Sequence, residues 1–100
     1  MSDDLARMLE RLRALKPDLA LRFGVSAIQV FGSRARGEEE PGSDLDLLVD
    51  FAPGARPTLF SLARLDRALE TALGVRVDVV ARANLNPRLA PHIEKDLVSA

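Results

Sequence analysis

Leu5, Met8, Leu9, Leu12 and Leu15 fall three or four residues apart behind Ser2, Asp3 and Asp4, the spacing of one helix face with a capping serine and first-turn acids. The spacing predicts a helix over residues 3–16. Pro17 is expected to interrupt it and to open a short second helical stretch that Gly24 ends. Val25 to Phe31 is β-branched and apolar, a first strand. Gly32 to Gly37 is a turn with room for one helical turn, and Glu38 to Ser43 (EEEPGS) reads as a polar loop. Leu45 to Asp50 is a second strand. After the turn-rich stretch Phe51 to Pro57, Leu59, Leu62, Leu65, Leu69 and Leu73 mark a second long amphipathic helix that Gly74 stops. Val75, Val77 and Val79 alternate with Arg76, Asp78 and Val80 in a third strand, and Asn86-Pro87 starts a final helix expected to run through Val98.

The order is therefore helix, strand, turn, strand, helix, strand, helix. A helical crossover between the second and third strands requires them to run parallel. The expected fold class is α/β (α+β), a small mixed sheet of about three strands flanked by helices. A chain of 100 residues suits one domain, so residues 1–100 are read as a single unit. Hydrophobic residues at 47% and charged residues at 29% supply a core and a solvated surface, which excludes disordered and collagen-like classes. No apolar run approaches the roughly 18 residues of a membrane span, and MSDDLARMLE lacks the layout of a signal peptide. A cytoplasmic protein with no membrane partner is expected.

Charge and rare residues narrow the chemistry further. The chain has no cysteine and one histidine, His92, so thiolate sites and multi-histidine zinc cages are excluded and any metal must be held by oxygen. The net charge of −1 offers no long-range attraction to a nucleic-acid backbone, so direct nucleic-acid binding is not expected.

Side chains alternate along a strand, so Asp44 and Asp46 project to one side of the second strand while Leu45, Leu47 and Val49 project to the other. Their Cα atoms should be about 6.5–7 Å apart, a spacing from which two carboxylates can share hard cations such as Mg²⁺. With the third strand alongside, Asp78 can join the same face. Clustered carboxylates repel unless a cation neutralises them. The plain alternative is a solvated strand face, and for Asp78 an ion pair with Arg76, two residues away on the same face. Gly32 and Ser33 follow the first strand directly, where a glycine lets backbone N–H groups approach an anion and a serine hydroxyl can donate to phosphate. An ordinary turn and N-cap would use the same residues. Arg34 and Arg36 add guanidinium groups suited to phosphate oxygens, or to a solvated surface.

Taken together, Gly32-Ser33, ten intervening residues and Asp44-Leu45-Asp46 resemble the defining motif of the DNA polymerase β nucleotidyltransferase superfamily. Within it, FGSRARGEEEPGSDLDLLV (Phe31 to Val49) is most similar to the minimal nucleotidyltransferases, the MntA-type antitoxins, and the resemblance covers most of the chain. The resemblance implies a nucleotidyltransferase fold. It implies that Gly32, Ser33 and Arg36 bind the triphosphate, and that Asp44, Asp46 and Asp78 are catalytic and bind metal, two Mg²⁺ ions. It implies ATP as donor, and a HEPN-domain toxin as partner whose tyrosine receives AMP. Only 22 residues follow Asp78, too few for an acceptor-binding domain, so the acceptor is expected to be another macromolecule. The chain has no tyrosine of its own.

Two other functions remain open on the sequence: an antitoxin that masks its partner by contact without turnover, and nucleotidylation of a small molecule. Glu38 to Glu40 reads as a solvated loop, Asp50 as a strand end and His92 as structural or surface. The leucine stripes are core, although part of the first or last helix is free to form a homo-oligomer interface.

Overall fold

The computed structural model describes residues 3–38 and 44–100. In chain order it contains α1 (Asp3–Phe23), β1 (Val25–Phe31), α2 (Ser33–Arg36), β2 (Leu45–Phe51), α3 (Leu59–Leu73), β3 (Val77–Ala81), a 3-10 turn (Arg82–Asn84), α4 (Ala90–Glu94) and β4 (Val98–Ser99). The expected loop at 39–43 lies outside the described residues.

The first helix does not break at Pro17. It runs unbroken from Asp3 to Phe23 with the proline inside it. A mid-helix proline removes one backbone hydrogen bond and crowds the preceding turn, at a cost of about 3 kcal/mol. The apolar stripe continues beyond it, however: Leu19 is 2% exposed and Phe23 packs on the core. Burying two such side chains contributes about 1.5–3 kcal/mol each, which offsets the proline. Pro17 itself faces solvent.

Four strands are ordered β3-β2-β1-β4, one more than the sequence pattern predicts. β1 pairs antiparallel with β2, and β2 pairs parallel with β3, as the helical crossover requires. The added strand replaces the end of the expected last helix. The C-terminal segment forms only the five-residue α4 and then turns into β4, whose Val98 and Ser99 pair with Val30 and Gln29. The Ala100 N–H also donates to the Ile28 carbonyl at 3.0 Å. A physical reason lies in β1: without β4 its outer backbone groups would lack partners, and Val98 also packs on the core.

The sheet has two unlike faces. On one, Ile28, Val30, Leu45, Leu47, Val49 and Val77 meet the stripes of α1 and α3 in the core. The α3 boundaries are well defined, with a reciprocal cap between Thr58 and Ser61 at its start and Gly74 in a left-handed conformation at its end. Glu70 on α3 covers the open edge of β3 by accepting the Val77 N–H at 3.1 Å. On the other face lie Phe31, Gln29, Asp46, Leu48, Asp50 and Asp78, placed there by the registers Phe31↔Asp46, Gln29↔Leu48 and Asp46↔Asp78. Among the described residues no helix is long and apolar enough to cross a membrane.

Candidate active site

The polar face of the sheet brings three separated stretches of sequence to one end. Parallel pairing sets Asp46 of β2 directly opposite Asp78 of β3, while the antiparallel pairing sets it opposite Phe31, the last residue before Gly32. Asp44 stands one step ahead of β2, where the Leu45 N–H donates to the Arg76 carbonyl at 2.9 Å and ties the start of β2 to the start of β3. The sheet register therefore gathers Asp44, Asp46 and Asp78, as the strand alternation predicts.

Their mutual effect is visible at Asp46. Partial burial raises the pKa of its carboxyl above the ordinary range, the neighbouring charges of Asp78 and then Asp44 push it the same way, and Arg36 opposes them. The cluster is thus costly when all three groups are ionised and uncompensated. That donor chemistry fits a hard cation. Among the described residues no three acidic or histidine side chains form a ready-made cation cage. Asp44 instead leans toward Arg76, with Nε 3.6 Å from Oδ1.

This contact corrects the structural alternative for Asp78. Arg76 pairs with Asp44, because it stands just ahead of β3 where β2 also begins. No cation pairs with Asp78 among the described residues. Both members of the Arg76–Asp44 pair are well exposed, so the pair is weak and easily exchanged.

Gly32 is the other half of the arrangement. Its φ of 79° with ψ of −159° lies where side-chain-bearing residues rarely go. A Cβ added there would overlap Asp46 Oδ2, so the backbone of this turn and the Asp46 carboxylate occupy adjoining space that only glycine leaves open. Ser33 then begins α2, a single turn closed by Gly37, whose left-handed conformation lets Glu38 N–H donate to the Ser33 carbonyl at 2.9 Å. Two arginines anchor this turn. The largely buried Arg34 reaches Asp4 of α1 at 3.4 Å. Arg36 donates to Glu38 and to Asp96, both at 2.9 Å. These carboxylates hold the Arg36 pKa above its ordinary value, through its hydrogen bond to Glu38 first and to Asp96 second.

Several participants carry no clear signal in the sequence. Asp50 does more than end a strand: it accepts Arg82 Nε at 2.8 Å, and Arg82 Nη2 donates to Gln29, so the 3-10 turn is strapped across β2 and β1. Asp66 on α3 is half-buried with one oxygen lacking a hydrogen-bond partner, and burial, then Glu70, then Asp78 raise its pKa. Its place beside the stripe Leu62, Leu65, Leu69 is the signal that marks it as turned inward. Asp96 falls within the helix predicted through Val98 and only acquires its position from the turn before β4. His92 is exposed on α4, in keeping with a surface residue. Glu38 is exposed, and Glu39 and Glu40 lie outside the described residues.

Comparisons with known proteins bear on the family and the fold. The nucleotidyltransferase domain family model matches residues 7–99. The protein adenylyltransferase MntA of Thermococcus cleftensis is 42% identical over 87 residues, covering 87% of this chain and 86% of that protein. Among solved structures, a candidate minimal nucleotidyltransferase superposes with a TM-score of 0.69 at 47% identity, covering 90% of this chain and 93% of that one. A complex of tri-AMPylated Shewanella oneidensis HEPN toxin with MNT antitoxin matches with a TM-score of 0.66 at 17% identity, over 96% of this chain and 70% of that one, and so bears on the fold alone. With the glycine-serine turn set against paired strand aspartates and a relative of this identity spanning nearly its whole length, the chain belongs to the nucleotidyltransferase domain family, among the minimal, MntA-type members.

Proposed function

We propose that this nucleotidyltransferase moves AMP from ATP onto a tyrosine of a HEPN-domain toxin and so serves as the antitoxin of the pair. The observation that carries the reading is the seating of Asp46 against the Cβ-free turn at Gly32 and opposite Asp78. A phosphate group beside that turn meets backbone, hydroxyl and carboxylates at once. The name of the Thermococcus relative, a protein adenylyltransferase, supports AMP as the transferred group. The HEPN toxin in the AMPylated complex supports the acceptor class.

In this reading Gly32 lets the backbone approach the triphosphate, Ser33 donates its hydroxyl to a phosphate oxygen, and Arg36 holds the departing phosphates. Asp78 accepts the proton of the tyrosine hydroxyl on a carboxylate oxygen as the new O–P bond forms at the α-phosphorus. The bond from that phosphorus to the β-phosphate oxygen breaks and pyrophosphate leaves. Two Mg²⁺ held by Asp44, Asp46 and Asp78 would supply Lewis acidity for the attacking and leaving oxygens of the in-line displacement. For Asp44 to contribute, it must release Arg76, and the exposure of that pair makes the exchange inexpensive.

One observation favours a second reading. Because Asp44 is already paired with Arg76, a contact-only antitoxin that retains these carboxylates is the rival. The two separate on incubation with a HEPN partner, Mg²⁺ and α-labelled ATP. We expect label on the partner, lost with Asp44→Asn. An unlabelled partner that is still inhibited by Asp44→Asn would establish the contact-only reading instead.

A further inference from the structure

Arg36 is held from two directions. Glu38, two residues away, accepts from its Nε, while Asp96, sixty residues away, accepts from Nη1, each at 2.9 Å. The two partners differ in setting. The Glu38 side chain is 64% exposed, whereas that of Asp96 is 24% exposed and better shielded from water and salt. The backbone also fixes Asp96. Its N–H donates to the Ile93 carbonyl at 3.2 Å, and two residues later Val98 pairs with Val30 in the sheet. The short β4 thereby brings a carboxylate from the end of the chain to the turn after Gly32.

A guanidinium is a rigid plane with five N–H donors. Two are occupied by carboxylates, so about three remain for an incoming anion in a plane that Glu38 and Asp96 define. The backbone ties Arg36 to the same turn, its N–H donating to the Gly32 carbonyl at 3.2 Å. Arg36 therefore belongs to the turn that carries Gly32 and Ser33.

We propose that Asp96 is a positioning residue for nucleotide binding, which orients Arg36 so that its remaining N–H groups meet the triphosphate. Asp96 touches no phosphate itself. The proposal rests on the triphosphate reading of Gly32, Ser33 and Arg36 given above. Without Asp96, Arg36 must be ordered at the moment of binding, a cost for a rotamer-rich side chain that corresponds to about a three- to tenfold loss of affinity.

The test is calorimetric titration of the full chain with Mg·ATP, using Asp96→Ala, Asp96→Asn and Asp96→Glu alone and Asp96→Ala combined with Arg36→Ala. Thermal unfolding of each variant reports folding, and a partly exposed ion pair predicts only a small change there. Asp96→Ala should weaken ATP about three- to tenfold, Asp96→Glu should recover part of the loss, and in the Arg36→Ala background Asp96→Ala should change nothing more. Equal weakening by Asp96→Ala in both backgrounds, or tighter ATP binding by the single variant, overturns the proposal while leaving the triphosphate site intact. A wild-type chain that binds no Mg·ATP, or an Arg36→Ala chain that binds it normally, overturns the triphosphate reading and this proposal with it. For the transfer reaction, the expected signature of Asp96→Ala is a raised KM for ATP with kcat nearly unchanged.

Discussion

Gly32 carries the tightest steric condition at the site, because its missing side chain leaves the space in which Asp46 places a carboxylate oxygen. Gly32→Ala must therefore strain a left-handed backbone and displace Asp46 together. A displacement of about 1 Å at a reacting centre can cost on the order of 10²-fold in rate, and we expect a loss of that size in AMP transfer. Near-normal transfer by a folded Gly32→Ala chain would show that Asp46 need not sit where it does. The same carboxylate shapes stability. Its folded pKa is raised, so the folded state holds the proton more readily than the unfolded chain. The associated stability is fully present below the unfolded aspartate pKa and is lost as pH rises through the folded one. In metal-free buffer at neutral pH, Asp46→Asn should then raise Tm while abolishing transfer. Mg²⁺ should raise the Tm of the wild type but not that of the variant. A fall in Tm for metal-free Asp46→Asn contradicts this account. Most of these residues were legible, since alternation puts Asp44 and Asp46 on one face and the parallel crossover adds Asp78. The overlap of Gly32 with Asp46 was not, because it depends on how β1 and β2 pair.

Among the elements, those bounded by local signals were legible and those decided by long-range packing were not. α3 begins and ends where Thr58, Ser61 and Gly74 satisfy its terminal groups, and β1 and β2 follow runs of buried apolar residues. Pro17 is the counterexample, a strong local stop signal overruled by Leu19 and Phe23, which bury only if the helix continues. That balance makes a prediction. Pro17→Ala restores a hydrogen bond and relieves a clash at an exposed position, and should stabilise the chain by about 1–3 kcal/mol after allowing for the added freedom of the unfolded state. Denaturant titration should show the midpoint rising at constant slope. An unchanged or lowered midpoint would mean that the helix is adapted to its proline. The end of the chain failed in the opposite way: Asn86-Pro87 is a fair helix start, but β1 needed an edge partner and drew Val98 and Ser99 out of the helix. No pattern local to residues 86–100 contains that demand.

For the molecule as a whole, one sheet separates a leucine core from a polar face whose two ends have different work. At the starts of β2 and β3, Asp44, Asp46 and Asp78 cluster with only the exposed Arg76 and the nearby charge of Arg36 to offset them among the described residues. At the other end of β2, Asp50 is neutralised by Arg82, which also reaches Gln29, and Gln29 in turn meets Ser99 of β4 at 3.2 Å. Three strands and the turn after β3 are thus joined by polar side chains that run from Gln29, opposite Leu48, to Asp50, about 13 Å along β2 from Asp46. Arg82→Ala should therefore leave Asp50 and Gln29 without their shared donor and cost about 1–3 kcal/mol of unfolding free energy. Transfer of AMP measured well below the lowered Tm should stay within about threefold of the wild type, because a change that lies beyond about 10 Å and shares no partner with the site acts independently. Denaturant unfolding and label transfer on the same preparation read both quantities. Loss of transfer without loss of stability would mean that Arg82 and Asp50 belong to the catalytic end after all.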